Sequence, residues 1–159
     1  MSAEPRVQPD LRRMQTSHIE GVMRVERAAY DYPWTERIFE DCLRVGYDCW
    51  ILEVEGRQVG HCVLTVAAGE AHLLNLTVDP RWQGHGLGRF MVRRLFEYAC
   101  AQQAEALFLE VRPSNLVAVE LYRSEGFEHV GTRARYYPLA NGREDAWVFS
   151  RLCAGRRGN

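Results

Sequence analysis

The stretch Trp82-Gln83-Gly84-His85-Gly86-Leu87-Gly88-Arg89 sets three glycines at alternate positions, just after a run of apolar strand formers ending at Val78. Without side chains, these positions let backbone N–H groups turn outward. The segment after the loop has a helical period: Leu87, Phe90, Met91, Leu95, Tyr98 and Ala99 make one stripe, with Arg89, Arg93 and Glu97 on another side. The spacing predicts a helix over about 86–103. Its first amides lack intrahelical acceptors and its dipole favours an anion, so the loop is a candidate seat for a phosphate or pyrophosphate. A nucleotide-hydrolysing loop needs Lys-Ser or Lys-Thr after the last glycine, whereas Gly88 is followed by Arg89-Phe90. A dinucleotide fingerprint needs Gly-x-Gly-x-x-Gly; here the third glycine comes one residue early, although Glu110 stands about where a ribose-binding acid would be expected. A glycine-rich turn with no ligand is the third reading.

Upstream, a short strand is expected near Val7–Met14. Ser17 and Glu20 fit a capping box for a helix over 18–30. Pro33 interrupts it, Thr35 caps a second helix carrying Ile38, Phe39, Cys42 and Leu43, and Gly46 closes that helix. Tyr32-Pro33-Trp34 forms an aromatic elbow between the two. The period then becomes that of strands: Cys49–Val54, a Glu55-Gly56 turn, Gln58–Val66, an Ala68-Gly69 turn and Ala71–Val78, an antiparallel meander. Downstream of the long helix come a short apolar strand at Ala106–Val111 and a helix at Asn115–Ser124 stopped by Gly126. A hairpin of Phe127–Arg133 and Asp145–Leu152 ends the chain, joined by a long loop over 135–142. The fold class is α/β, a mixed α+β arrangement with a central mixed sheet flanked by helices. Only the unit 71–111 needs a parallel crossover, and ligand is expected at its carboxyl edge.

Composition narrows the partners. The 159 residues fit one domain over 1–159, with a core at about 11–152 and polar ends. Twenty basic against 21 acidic residues leave a net charge of −1, so no global field draws the chain to nucleic acid or anionic lipid. No apolar run approaches the ~20 residues of a membrane span. The N-terminus lacks the apolar segment of a secretory signal, which reads as cytoplasmic. Five scattered cysteines without a Cys-x-x-Cys pair argue against a disulfide framework and a zinc site, and the histidines lack metal-ligand spacing, so no metal is expected.

Beyond the loop, Leu76-Thr77-Val78-Asp79-Pro80, Gln83-x-x-Gly86-x-Gly88, Leu109-Glu110-Val111-Arg112-Pro113-Ser114-Asn115, Ala118-Val119-Glu120-Leu121-Tyr122, Gly126-Phe127, Tyr136-Tyr137-Pro138 and Gly142-Arg143-Glu144-Asp145-Ala146 complete a pattern with Tyr32-Pro33-Trp34-Thr35. This pattern resembles the GCN5-related N-acetyltransferase (GNAT) superfamily, whose glycine loop binds acyl-CoA. It resembles in particular the bacterial RimI-type ribosomal-protein-alanine N-acetyltransferases, over about residues 11–152. The resemblance implies the acyl-CoA N-acyltransferase fold, acetyl-CoA as acetyl donor and a protein N-terminus as acceptor, most specifically the N-terminal alanine of ribosomal small-subunit protein eighteen.

Several residues then acquire expected roles. Glu110, a carboxylate at the end of an otherwise apolar strand, matches the family's general base, and partial burial would suit it to that task. Read alone it is equally a surface acid paired with Arg112 or Arg81. Tyr122 matches the acid that protonates the departing thiolate; read alone it is a core tyrosine. It lies seven residues, about two helical turns, from Asn115, which can serve both as a helix cap and as a contact for the pantetheine arm. The amides of Gln83, Gly84, His85, Gly86, Leu87, Gly88 and Arg89 would hold the pyrophosphate, and those around Leu76, Thr77 and Val78 the thioester carbonyl. No catalysis is assigned to the His85 side chain, which is expected to point to solvent. Trp34 and Tyr137 are candidate walls of a peptide channel, although core packing accounts for Trp34 as well. Asp31, Glu36, Glu40, Asp41, Glu144 and Asp145 lie near those walls in sequence and could receive a basic peptide. Acetylation of another N-terminus, of lysine or of a small amine is the nearest alternative, and a non-catalytic CoA-binding module the alternative of another class.

Overall fold

Thr35 and Gly46 bracket their helix as the sequence predicts: Ile38 N–H donates to Thr35 Oγ1 at 3.3 Å, and Gly46 ends the helix at φ 85°. The structure, a computed structural model, describes residues 8–154. These form β1 (Pro9–Arg13), α1 (Ile19–Ala29), α2 (Glu36–Val45), β2 (Asp48–Val54), β3 (Arg57–Ala67), β4 (Glu70–Val78), α3 (Leu87–Ala101), β5 (Ala106–Val111), α4 (Leu116–Ser124), β6 (Glu128–Leu139) and β7 (Gly142–Leu152). The strands make one seven-stranded mixed sheet in the order β1-β2-β3-β4-β5-β7-β6. β4 and β5 are parallel, from Glu70 opposite Ala106 to Leu73 opposite Leu109, while β5–β7 and β6–β7 are antiparallel. The crossover expected of 71–111 is therefore present, with α3 as its helix.

Two compact units can be described separately. One comprises the chain up to Val63 with Asn75–Met91, the other Leu64–Leu74 with the chain from Val92. In the first, β1 lies antiparallel on β2, and Met14, Ile19, Val22, Met23, Phe39, Cys42, Cys49, Ile51 and Val63 form a core. In the second, Leu107, Leu109 and Val111 on β5 are buried with Phe149 on β7, the period-2 pattern of a strand with one buried face.

Four sequence expectations are corrected. The first strand is shorter than 7–14, and Val7 lies outside the described residues. Ser17 and Glu20 make no capping box. A short 3₁₀ turn, Thr16–His18, precedes α1 instead, with Gln15 N–H donating to His18 Nδ1 at 2.9 Å. The long loop over 135–142 does not exist: β6 and β7 continue through it and turn at Ala140-Asn141, just before Gly142 at φ 133°. The Asn141-Gly142 dipeptide is a hairpin signal. Pro138 is tolerated because β6 is an edge strand, and register shifts at His129/Gly131 and Arg133/Tyr137 absorb the irregularity. Finally, Cys100 and Cys153, 53 residues apart, form a disulfide between the last turn of α3 and the residue after β7. Scattered positions conceal such a pair, because only packing brings them together. The other three cysteines are free and buried. Burial pushes the thiols up, Cys49 to about 12, so these groups stay protonated core residues.

Candidate active site

In the first unit β4 ends at Val78 and leads into Asp79, whose carboxylate accepts from Arg81 N–H at 3.0 Å and caps a 3₁₀ turn, Pro80–Trp82. Asp79 is buried. Burial opposes its ionisation, but the hydrogen bonds from Arg81 and Arg24 outweigh it and hold the carboxyl below its usual range. The anchored turn delivers the glycine loop. Gly84 and Gly86 have φ of 84° and 75°, and a Cβ at either would meet nothing within 4 Å. Backbone conformation rather than crowding therefore requires glycine there. Phe90 N–H donates to Gly86 O at 3.0 Å, so the helix begins on a glycine with no side chain to cap it. Leu87 and Gly88 open α3, in the first turn, where an α-helix supplies its N–H groups with no acceptor four residues back. Bare backbone, a glycine start and the positive end of a 15-residue helix fit a pyrophosphate. His85 is exposed, as expected, but it also pairs through Nδ1 with Trp82 O at 3.0 Å. An open recess of about 560 Å³ lies beside this turn, lined by Arg24, Arg57, Gln58, Val59, Asp79, Arg81 and Trp82; it contains none of the expected site residues.

On β4 the Leu76 carbonyl accepts from Tyr30 Oη at 2.8 Å, while the Thr77 side chain is buried in a polar cluster with Glu26, Tyr30 and Asn75. Trp34 packs on Phe39, ring centroids 5.2 Å apart, and against the core. Its side chain is partly buried against that core, and Tyr32 of the elbow is exposed.

In the second unit Glu110 lies on β5 between the buried Leu109 and Val111, with its own side chain 26% exposed. Its partner is neither Arg112 nor Arg81: Arg133 Nε of β6 stands 3.0 Å from Oε1. Arg112 instead donates to Pro138 O at 3.0 Å and covers the Tyr137 ring at 4.4 Å. Asn115 caps α4, accepting from Ala118 N–H at 3.2 Å. Tyr122, two turns on, is buried beside Phe127 and Phe149 at 5.9 and 6.4 Å. Tyr137 sits on β6 rather than in a loop, edge-on to Tyr136 at 5.0 Å.

Two of the acids considered for a basic peptide are structural. Glu144 accepts from Ser114 N–H and Oγ–H, each at 2.8 Å, and pairs with Arg112. Burial works against its ionisation, but these contacts prevail and hold it below the usual carboxylate range. It thereby clips the β5–α4 connection that carries Asn115. Asp145 accepts from Arg135 N–H at 2.9 Å at the bulge of β6.

Glu26 escapes the sequence reading. It sits at the third and fourth helical step from Met23 and Val22, in the middle of the apolar stripe, and is buried. A charge interrupting that stripe is the available signal. Among the described residues no cluster of three or more His, Cys, Asp or Glu side chains could hold a metal ion. Among the described residues no helix is long and apolar enough to cross a membrane.

Residues 16–127 match the Acetyltransferase (GNAT) family, and the chain belongs to it. It is an N-acetyltransferase with the GNAT fold, a family that uses acetyl-CoA as donor. The [ribosomal protein bS18]-alanine N-acetyltransferase of Escherichia coli (strain K12) is 34% identical over 137 residues, 86% of this chain and 93% of that protein. The Haemophilus ducreyi protein of that name is 31% identical over 127 residues, 79% of this chain and 88% of its own length. The crystal structure of the ribosomal-protein-S18-alanine N-acetyltransferase from Escherichia coli superposes with a TM-score of 0.87 at 31% identity, covering 96% of this chain and 99% of that one. Ard1 from Thermoplasma volcanium, 24% identical, shares the fold with a TM-score of 0.81, covering 91% of this chain and 97% of that one.

Proposed function

We propose that the chain is a single catalytic domain over 1–159 that acetylates the N-terminal α-amine of a protein, its preferred substrate being the N-terminal alanine of ribosomal protein bS18. The observation that carries this reading is the likeness, at 34% identity over 93% of its length, to a relative with that named activity. The partner would be this ribosomal protein rather than nucleic acid or a membrane, and the location cytoplasmic.

Acetyl-CoA, when bound, supplies an acetyl group activated as a thioester. In this reading the amides of 83–89 and the start of α3 hold its pyrophosphate, Asn115 contacts its pantetheine arm, and N–H groups along Leu76–Val78 receive the acetyl carbonyl. Glu110 takes the proton that the α-amine must lose. Arg133 Nε stands 3.0 Å from that carboxylate, and at 59% exposure its side chain can swing aside for a substrate. Tyr122 gives its hydroxyl proton to the departing sulfur, so the proton lost at nitrogen is balanced by one gained at sulfur. The demand on Glu110 is modest: an α-amine of pKa about 8 is roughly a tenth neutral at pH 7, against far less for a lysine at about 10.4. Tyr137 and the elbow at Tyr32–Trp34 are the proposed acceptor walls.

The test incubates the purified protein with acetyl-CoA and peptides beginning Ala, Ser or Met, plus an N-blocked lysine peptide, and locates acetyl groups by mass spectrometry. The chain itself has no lysine, all 20 of its basic residues being arginine, so acetyl-lysine can come only from the peptide. Acetyl on the α-amine of the Ala peptide is expected; acetyl on lysine alone would overturn the reading.

A further inference from the structure

Glu26 and His61 are both buried, at 1% and 0% exposure, and neither enters the chemistry above. Glu26 Oε1 accepts from His61 Nε2 at 2.8 Å, Asn75 Nδ2 at 3.3 Å and Thr77 Oγ1 at 3.2 Å, and Oε2 accepts from the Trp34 backbone N–H at 3.0 Å. His61 Nδ1 is buried with no hydrogen-bond partner, so the ring is held through Nε2 alone, on Glu26. Burial opposes ionisation of Glu26, but the bonds from His61, Trp34 and Asn75 prevail and hold the carboxyl below its usual range. A buried charge set of this kind adds little stability over well-packed apolar side chains of similar volume. What it adds is fixed geometry, and its donors come from three places: the elbow, β3 and β4.

The elbow has no regular secondary structure between Asp31 and Thr35, so its backbone needs an external anchor. The Glu26 carboxylate provides one at Trp34, while the Trp34 ring rests on Phe39, which is edge-on to His61 at 5.2 Å. Just past the end of α1, Tyr30 makes a second link. Its hydroxyl donates to Leu76 O at 2.8 Å and lies 3.1 Å from Thr77 Oγ1. A trans peptide plane points its C=O and N–H in opposite directions. Drawing Leu76 O toward Tyr30 therefore aims Thr77 N–H the other way.

We propose that Glu26 in α1 and Tyr30 just past its end are a pair of positioning residues: Glu26 holds the acceptor elbow at Trp34, and Tyr30 orients the Leu76–Thr77 peptide whose N–H receives the acetyl carbonyl. The inference rests on the N-terminal acetyltransferase reading and divides it into two separable parts, acceptor placement and carbonyl placement.

The test measures kcat and both KM values for wild type, Glu26→Leu, Glu26→Gln and Tyr30→Phe, with folding checked by near-UV circular dichroism. Glu26→Leu should raise the acceptor-peptide KM at least ~10-fold and leave the acetyl-CoA KM within about 2-fold, the signature of lost acceptor placement. Glu26→Gln should recover to within about 3-fold of wild type, because its amide oxygen still accepts from Trp34 while His61 changes tautomer to receive the amide N–H. Tyr30→Phe should lower kcat about 10-fold with both KM values near wild type, as expected for a mis-aimed carbonyl donor. Folded Glu26→Leu with a wild-type acceptor KM overturns the proposal, as do parallel changes of every constant in all variants. Tyr30→Phe removes one hydroxyl from a part-exposed residue and decides the matter where Glu26→Leu does not fold: unchanged kcat overturns the proposal. A wild-type protein that acetylates no α-amine sinks the functional reading; an active wild type with unaltered variants sinks this inference alone.

Discussion

Two carboxylates, Glu26 on α1 and Glu110 on β5, are held in opposite ways. Glu26 is buried and surrounded by four donors, each on a different residue. Glu110 is partly exposed and faces one guanidinium, itself more than half exposed. Four fixed dipoles can stabilise a charge without any of them being able to leave. A single exposed ion pair is worth little and exchanges readily with solvent or substrate. The first arrangement suits a part that must not move, the second a group that must hand a proton on.

The comparison would break most sharply at Glu110. Glu110→Gln should lower kcat by roughly 10²–10⁴-fold, the range for loss of a general base, while acetyl-CoA affinity measured by calorimetry stays near wild type. Full activity would make Glu110 one more surface acid.

Glu26→Ala should destabilise by about 3–5 kcal/mol in urea unfolding, since it strands buried donors. Reducing the Cys100–Cys153 bridge, which closes a loop of sequence separation 53, should cost roughly 2–4 kcal/mol in the same assay. That comparison of oxidised and reduced protein also shows how much stability the fold retains under reducing conditions.

A pH titration separates fixed carboxylates from the rest. Glu26, Asp79 and Glu144 all have folded-state pKa values lowered from the usual range. They bind protons less readily folded than unfolded, so their contribution is fully present above the ordinary values of about 3.9–4.3 and is lost as pH falls through the lowered ones. Melting temperatures should therefore hold steady from pH 7 to about 5 and fall below about 4. Glu26→Gln should lessen that acid-induced fall, and an unchanged profile would contradict the carboxylate's proposed ionised state. The smallest effect is expected from Arg133→Ala, a change in stability of about 0–1 kcal/mol by urea unfolding, because the pair it breaks is solvent-exposed.

Much of the site is legible in the sequence because local backbone chemistry dictates it. Gly84 and Gly86 adopt the left-handed conformations that a glycine-rich loop suggests, Asn115 caps its helix, and Thr35 and Gly46 bound theirs. Each depends on a few neighbouring residues. Sequence and structure part where a residue's partner lies far along the chain. For Glu110 the sequence suggests Arg112 or Arg81, but β6 brings Arg133. Glu144, a candidate for substrate, instead clips Ser114, 30 residues away.

The sequence by itself therefore determined the order of helices and strands, the phosphate-type loop and the family, since period, caps and turn residues act over a few positions of chain. Tertiary structure alone decided which charges meet, which cysteines pair and which aromatic ring faces solvent. Pairings such as Ser114 with Glu144, 30 residues apart, and Cys100 with Cys153, 53 apart, are encoded by no local rule of backbone or propensity.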